Sequence, residues 1–328
     1  MIEQELIRCV TSFHPGATGV AGIARPSGGA SQETWSFDIV HPGGNIGAIL
    51  RRSPKGYGAA PTRAAGLDAE ARLMQLAHDA GLPSPKVMHV LTPEDDLGTG
   101  FIMARVEGET IARKILRDEQ FAKARPMLAR QLGKVAAGIH GLPRAELPAL
   151  REMSSTREIA EIGREYRSFG WPRPVFELAL RWLGDHDPGP SREVTLVHGD
   201  FRHGNLIIGP DGVRAVLDWE LAHLGDPMED LGWICVNSWR FGEIDKPVGG
   251  FGSREELFAG YEEGGRKVDP VRVKFWEVMG TLRWGVMCCG MMQRFRIGPD
   301  HSMERAMIGR RSSETEIDLL RLLAPRGD

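Results

Sequence analysis

The stretch LVHGDFRHGNLIIGPDGVRAVLDWELAHLGDPMED, Leu196 to Asp230, decides how the rest of the chain is read. It holds His198-Gly199-Asp200, then Asn205, then Asp218 inside Leu217-Asp218-Trp219-Glu220. Leu206-Ile207-Ile208 is a short apolar run, Gly209-Pro210-Asp211-Gly212 is a turn cluster, and Val213 to Leu217 is a second run with branched residues. A hairpin here brings Asn205 and Asp218 together at its open end. An amide oxygen and a carboxylate so placed form half of a site for Mg²⁺, which prefers hard oxygen ligands and completes its shell with water and phosphates. Asp200, in the loop before the first strand, is positioned to take a proton from an attacking hydroxyl.

Singly, Asp and Asn at strand ends are as often turn residues as ligands. A different grouping makes His198, Asp200 and His203 a transition-metal cluster, although no further His or Cys completes it. Asp226, Pro227 and Glu229 read as helix-capping residues, with Asp226 at the N-cap, Pro227 at the first helical position and Glu229 at the capping-box position.

HGDFRHGN followed by LDWE resembles the catalytic segment of the aminoglycoside phosphotransferase-like small-molecule kinases, which share the protein-kinase fold. The resemblance implies an α+β, bilobal fold with a small antiparallel-sheet N-lobe, residues 1–104, and a larger, mostly helical C-lobe, residues 105–328. It implies Asp200 as catalytic residue, Asn205 and Asp218 as metal ligands, and His198 as a brace for the loop. ATP and Mg²⁺ are the implied cofactors, with a small-molecule hydroxyl as acceptor.

Upstream, the expected parts occur in order. Pro26 to Thr34 is a small-residue loop, and Gly28, Gly29, Ser31 and Thr34 match the family's phosphate loop; it is no Walker A, since no GK[ST] follows. Gly47 to Arg52 reads as a strand ending in cations. Arg51 stands where kinases carry the phosphate-pairing Lys, and Arg can grip phosphate bidentately; Arg52 points to the opposite face and reads as solvated. Ala64 to Ala80 is a helical segment whose Glu70 matches the family's partner for the strand cation. Lys86 to Leu91 and Gly100 to Val106 read as strands, and Phe101 to Gly108 as the hinge, with Met103 and Arg105 beside the adenine. Further on, the patterns predict helices over 120–142, 157–167, 174–183, 228–240, 253–265, 270–297 and 313–323.

Bulk properties narrow the partners. The chain has 328 residues and a net charge of −3, which argues against a general nucleic-acid binder. Its four cysteines form no C-x-x-C pair and no secretory leader is visible, which favours the cytoplasm. The longest apolar stretch, Trp284 to Met292, is too short to cross a bilayer. No oligomeric state is signalled. Residues 266–311 carry ten Lys/Arg against four Asp/Glu, the reverse of what a polycationic aminoglycoside needs. Trp276, Arg283, Met287, Met291 and Arg294 fall near one helical face. Such a stripe is usually core; read as a pocket, Arg283, Met287 and Arg294 suit a neutral or anionic acceptor. Two other readings share the motif: a nucleotide-binding scaffold with weak or no turnover, and an aminoglycoside or other antibiotic kinase. A kinase acting on protein is disfavoured because no APE-like segment follows Asp218.

Overall fold

The computed structural model describes residues 2–25, 32–53, 64–298 and 301–324. The expected phosphate-loop residues Gly28, Gly29 and Ser31 lie outside these. The architecture is the expected bilobal α+β one. Its smaller lobe is a five-stranded antiparallel sheet in the order β1-β2-β3-β5-β4, built from β1 (Gly19–Ala24), β2 (Glu33–Val40), β3 (Ile46–Ser53), β4 (Val87–Val90) and β5 (Thr99–Ala104). Alternation sorts the faces. Phe37 and Ile39 of β2, Ala48 and Leu50 of β3 and Ile102 of β5 pack on Leu6, Cys9 and Val10 of α1 (Ile2–Phe13). On the other face α2 (Leu67–Asp79) contributes Leu73, Met74 and Ala77 to the core of the larger lobe.

That covering helix corrects one expectation. Arg52 shares its face with Ala48 and Leu50, and α1 rather than water lies there. Its guanidinium is 3.0 Å from Glu33, reaches the Leu97 carbonyl at 3.1 Å and faces Glu5 of α1 at 3.9 Å. Arg52 is a staple of the small lobe, not a solvated residue.

From the end of β5 at Ala104 the chain crosses to the second lobe. Gly108, at φ 154°, makes the crossing possible, because a Cβ there would stand 2.9 Å from the Ile208 carbonyl. Glu109 and Ile208 then exchange backbone hydrogen bonds of 2.9 and 3.0 Å. The larger lobe contains α3 (Ala112–Arg117), α4 (Arg125–His140), α5 (Ser155–Ser168), α6 (Pro174–Asp185), α7 (Met228–Ile234), α8 (Arg254–Glu263), α9 (Pro270–Ile297), α10 (Met303–Gly309) and α11 (Ser312–Leu323). It also contains two small strand pairs: β6 (Thr195–Val197) with β9 (His223–Gly225), and the hairpin of β7 (Leu206–Gly209) and β8 (Gly212–Val216).

Four predicted helices are shorter than their patterns, α2 and α8 by a few residues at their ends and α4 and α7 by more. α4 starts at Arg125, not near 120. Pro126 lies in its first turn, where its missing N–H costs nothing, and Glu119–Phe121 forms a separate 3₁₀ turn. α7 ends at Ile234 rather than 240 because the Arg240 guanidinium folds back onto the Cys235 carbonyl at 2.6 and 3.2 Å, satisfying the end of the helix from outside. The short helix α10 had no counterpart in the sequence reading, nor did α1.

Candidate active site

The loop between β6 and β7 is held from below by one carboxylate. Asp230, in the first turn of α7 and fully buried, accepts the backbone N–H of His198 at 2.8 Å and of Gly199 at 2.9 Å. His140 of α4 reaches the same carboxylate at 3.0 Å, and the Tyr261 hydroxyl of α8 meets the other nitrogen of that ring at 2.9 Å. Burial alone would raise the Asp230 acid, but the His140 hydrogen bond and the nearby His198 hold it below the usual carboxylate range. Gly199 is at φ 80°, and a Cβ there would stand 2.5 Å from the Leu221 carbonyl. The glycine of His-Gly-Asp is therefore imposed by its positive φ and by the Leu221 carbonyl packed against it.

His198 acts as the expected brace. The Asp200 N–H donates to its Nδ1 at 3.2 Å, so Nε2 carries the proton and donates to the Leu217 carbonyl at 3.1 Å. Burial pushes this imidazole down and keeps it neutral. His203 points elsewhere, into the Phe241 and Phe251 rings with centroids at 5.8 and 4.8 Å, and burial pushes it down to about 4. The alternative His198–Asp200–His203 metal cluster is not formed. Among the described residues the one such grouping is Cys9, His89 and Asp95 in the small lobe. There the His89 ring and the Thr92 N–H already share Asp95 Oδ2 at 2.8 and 2.7 Å.

The β7–β8 hairpin pairs Leu206 with Val216 and returns the chain so that the Leu217 N–H donates to the Asn205 carbonyl at 2.8 Å. Asn205 and Asp218 thus flank one end of it. Asp218 is a non-glycine residue in the left-handed region, φ 65°, and this turn directs it towards the sheet lobe. Arg51 of β3 meets it there: Nη2 lies 2.6 Å from Asp218 Oδ1, while Nε lies 3.2 Å from Glu70 Oε2 of α2. The contact with Glu70 is an ion pair without hydrogen-bond alignment, and both Glu70 oxygens are buried with no hydrogen-bond partner among the described side chains. Burial pushes Glu70 up to about 8 against the pull of Arg51, with Asp218 and Glu220 adding to the rise. Thr34, also expected near the phosphates, pairs with Arg51 across β2 and β3.

Asp200 is almost buried, and both its oxygens are used. Oδ2 accepts Nδ2 of Asn205 at 2.6 Å; Oδ1 accepts Nε of Arg202 at 2.9 Å and the indole N–H of Trp233 at 2.8 Å. Asn205 spends its amide N–H groups on Asp200, and its side-chain oxygen takes no hydrogen bond among the described residues. That free amide oxygen, the Asp218 carboxylate and the absence of thiol or free imidazole beside them form an all-oxygen donor set, the kind that fits Mg²⁺. Arg202 and Trp233 were missed in sequence. Arg202 lies inside the quoted motif, two residues after Asp200, whereas Trp233 carried no signal beyond its place in a helix.

The expected hinge and acceptor residues fare differently. The backbone of Met103 is engaged on both sides, paired with Ile49 and with Val87. The Arg105 side chain turns back onto the sheet, 2.7 Å from Asp38, and its N–H donates to Gly47. Among the described residues the Val106 N–H has no partner. Arg283 is buried rather than lining a pocket: Nη1 contacts Glu229 at 2.8 Å, Nη2 donates to the Gly199 carbonyl at 3.0 Å, and the guanidinium stacks 4.1 Å from the Trp233 centroid. Glu229 is consequently no capping-box residue, since its other oxygen meets His223 at 3.1 Å. Asp226 does accept the Met228 N–H at 3.0 Å, but α7 begins at Met228 with Pro227 as its N-cap residue, one position later than expected. Met287 packs with Trp233, Trp239 and Trp284. Arg294 is exposed. The basic surplus of residues 266–311 is also largely spent: Arg266, Arg272, Arg283 and Arg311 pair with Glu193, Asp226, Glu229 and Glu314, all outside that segment.

A two-lobed fold that brings Asp200, Asn205 and Asp218 together with an Arg51–Glu70 pair at the junction has the layout of a kinase-like protein. The model of the phosphotransferase enzyme family matches residues 22–268, and the chain belongs to that family. Its fold is shared with a protein from Ralstonia eutropha provisionally named an aminoglycoside phosphotransferase (TM-score 0.75, 22% identity, 97% of each chain). It is also shared with a choline/ethanolamine kinase family protein from Mesorhizobium loti (0.66, 19%, 99% of this chain and 96% of that one) and with spectinomycin phosphotransferase bound to ADP and spectinomycin (0.64, 16%, 98% of each). Curated relatives are longer. Acyl-CoA dehydrogenase family member 10 of Mus musculus is 30% identical over 57% of this chain but 18% of its own length, and the Arabidopsis thaliana protein IBR3, a probable acyl-CoA dehydrogenase, 28% over 79% and 34%. The chain thus spans about a third or less of these relatives. Among the described residues no helix is long and apolar enough to cross a membrane.

Proposed function

We propose that the protein transfers the γ-phosphate of ATP to a hydroxyl of a small molecule. The observation that carries this is the meeting of Arg51 with Asp218, 2.6 Å apart across 167 residues of sequence, beside the Asp200–Asn205 pair. Asp200 orients the acceptor hydroxyl and takes its proton as the new O–P bond forms and the bond to the ADP oxygen breaks. Asn205 and Asp218 would hold Mg²⁺, which would supply charge neutralisation of the phosphates. Arg51, oriented by Glu70, grips the phosphates as it now grips Asp218. The adenine meets hinge backbone, where the Val106 N–H is available. Four buried, unpaired cysteines suit a reducing cytoplasm. The name shared by the curated relatives makes hydroxyacyl compounds one acceptor class to test. The juxtaposition of Asp200, Asn205, Asp218, Arg51 and Glu70 weighs against a catalytically silent scaffold.

Three substitutions test the reading. Asp200→Asn should retain Mg-ATP binding and lower transfer by about 10²–10⁴-fold, the usual share of a positioned acid–base group; turnover within a few-fold of wild type would remove Asp200 from the mechanism. Asp218→Ala should abolish the Mg²⁺-dependent part of ATP binding, measured by calorimetry with and without the metal, and Asn205→Ala should weaken it less because its ligand is neutral. Undiminished affinity in Asp218→Ala would place the metal elsewhere.

A further inference from the structure

The two oxygens of Asp200 divide the site. Oδ2 faces Asn205, on the side of Asp218 and Arg51. Oδ1 faces Arg202 and Trp233, on the side of the tryptophans that pack against α9. Arg202 is immobilised on that second side from three directions. Its Nε donates to Asp200, its Nη1 donates to the His203 carbonyl at 2.9 Å, and its plane lies over the Trp239 ring at 4.6 Å from the centroid. Among the described residues Nη2 has no partner, and about a quarter of the side chain, 26%, is exposed. Trp239 itself is fixed between Trp233 at 5.3 Å and Trp284 at 4.9 Å. A guanidinium so held loses little further rotamer freedom when its free edge meets a ligand.

Resting on the phosphotransfer reading above, we propose that Arg202 is the residue that selects the acceptor: its Nη2 edge receives a carboxylate, or a comparable oxyanion, carried on the same molecule as the hydroxyl that Asp200 activates. The nucleotide phosphates are served by Arg51 on the opposite side of Asp200, so the anion read by Arg202 belongs to the acceptor. Its position, one hydrogen bond from the base, puts that anion within a few bonds of the reacting hydroxyl. A polycation would meet this fixed positive charge directly.

The test measures binding, so that failure of transfer and failure of this inference are separable. Short- and medium-chain hydroxycarboxylic acids and the corresponding primary amides are titrated into the full-length protein holding Mg²⁺ and a non-hydrolysable ATP analogue. Wild type should bind the acids at least about tenfold more tightly than their amides, the share of one charge-assisted hydrogen bond. Arg202→Gln should erase that difference and leave analogue affinity unchanged. Arg202→Lys, which keeps charge but loses the fork, should retain part of it, and it serves as the comparison if the Gln variant does not fold. Equal affinity for acid and amide in wild type, or a preference that survives undiminished in Arg202→Gln or, should that variant not fold, in Arg202→Lys, overturns the assignment. Absence of ADP formation with every acid and amide under ATP would instead count against phosphotransfer to a hydroxyl.

Discussion

Arg51 and Arg283 are both largely buried arginines facing carboxylates, and they do opposite work. Arg283 is complete: a carboxylate, a backbone carbonyl and an indole ring take up its faces, and Glu229 is completed in turn by His223. Arg51 is incomplete. It spans Glu70 and Asp218, its Nε and the Glu70 oxygens make no aligned hydrogen bond, and Glu70 is driven towards its neutral form. Buried polar groups are normally satisfied, so a mismatched pair at a lobe junction marks a place where something else binds. The satisfied pair marks where the fold is fastened, here the floor of the His198–Asn205 loop.

The largest expected effect separates the two directly. Arg283→Met strands Glu229 and the Gly199 carbonyl, and should cost about 3–5 kcal/mol of stability, read by urea unfolding. Arg51→Met should cost far less, because Glu70 can protonate, while raising the KM for ATP. Equal destabilisation by the two would break the comparison.

Next comes pH. Glu70 sits at about 8 in the fold against its ordinary 4.5. Between those values the folded chain holds a proton that the unfolded chain has released, so this group's contribution falls as pH rises from 4.5 to 8. Glu229 is opposed by burial but held at about 2 by His223 and Arg283. There the unfolded chain binds the extra proton, and stability falls as pH drops from 4.5 towards 2. Glu70→Gln should therefore flatten the limb of the stability profile between pH 4.5 and about 8, and Glu229→Gln the limb below 4.5, each by a few kcal/mol at most. Interchanged limbs in the two variants would show the networks misassigned. The smallest effect is expected of Arg294→Ala: within about 0.5 kcal/mol in stability, with acceptor KM unchanged, as for an exposed residue away from any special contact. A clear rise in acceptor KM would return Arg294 to the pocket.

Local spacing decided much of this protein. Asn205 and Asp218 flank a two-strand hairpin whose turn residues are written between them, so their approach follows from chain geometry alone. His198, Gly199 and Asp200 are adjacent, whereas Arg51 and Glu70 are legible only through the family resemblance, since a charged residue on a strand end or a helix face by itself reads as solvated. Charge counting along residues 266–311 failed for a physical reason: an ion pair needs a partner in space, and Glu193, Asp226, Glu229 and Glu314 all lie outside the segment that was counted. Helical periodicity likewise put Arg283 and Arg294 on one face of α9 but could not say that α7 buries one while the other meets water. Only the tertiary structure covered Arg52 with α1, placed the Trp233 indole on Asp200 and laid Arg202 over Trp239. Those contacts join elements far apart in sequence or depend on side-chain direction, and neither a motif nor a period encodes them.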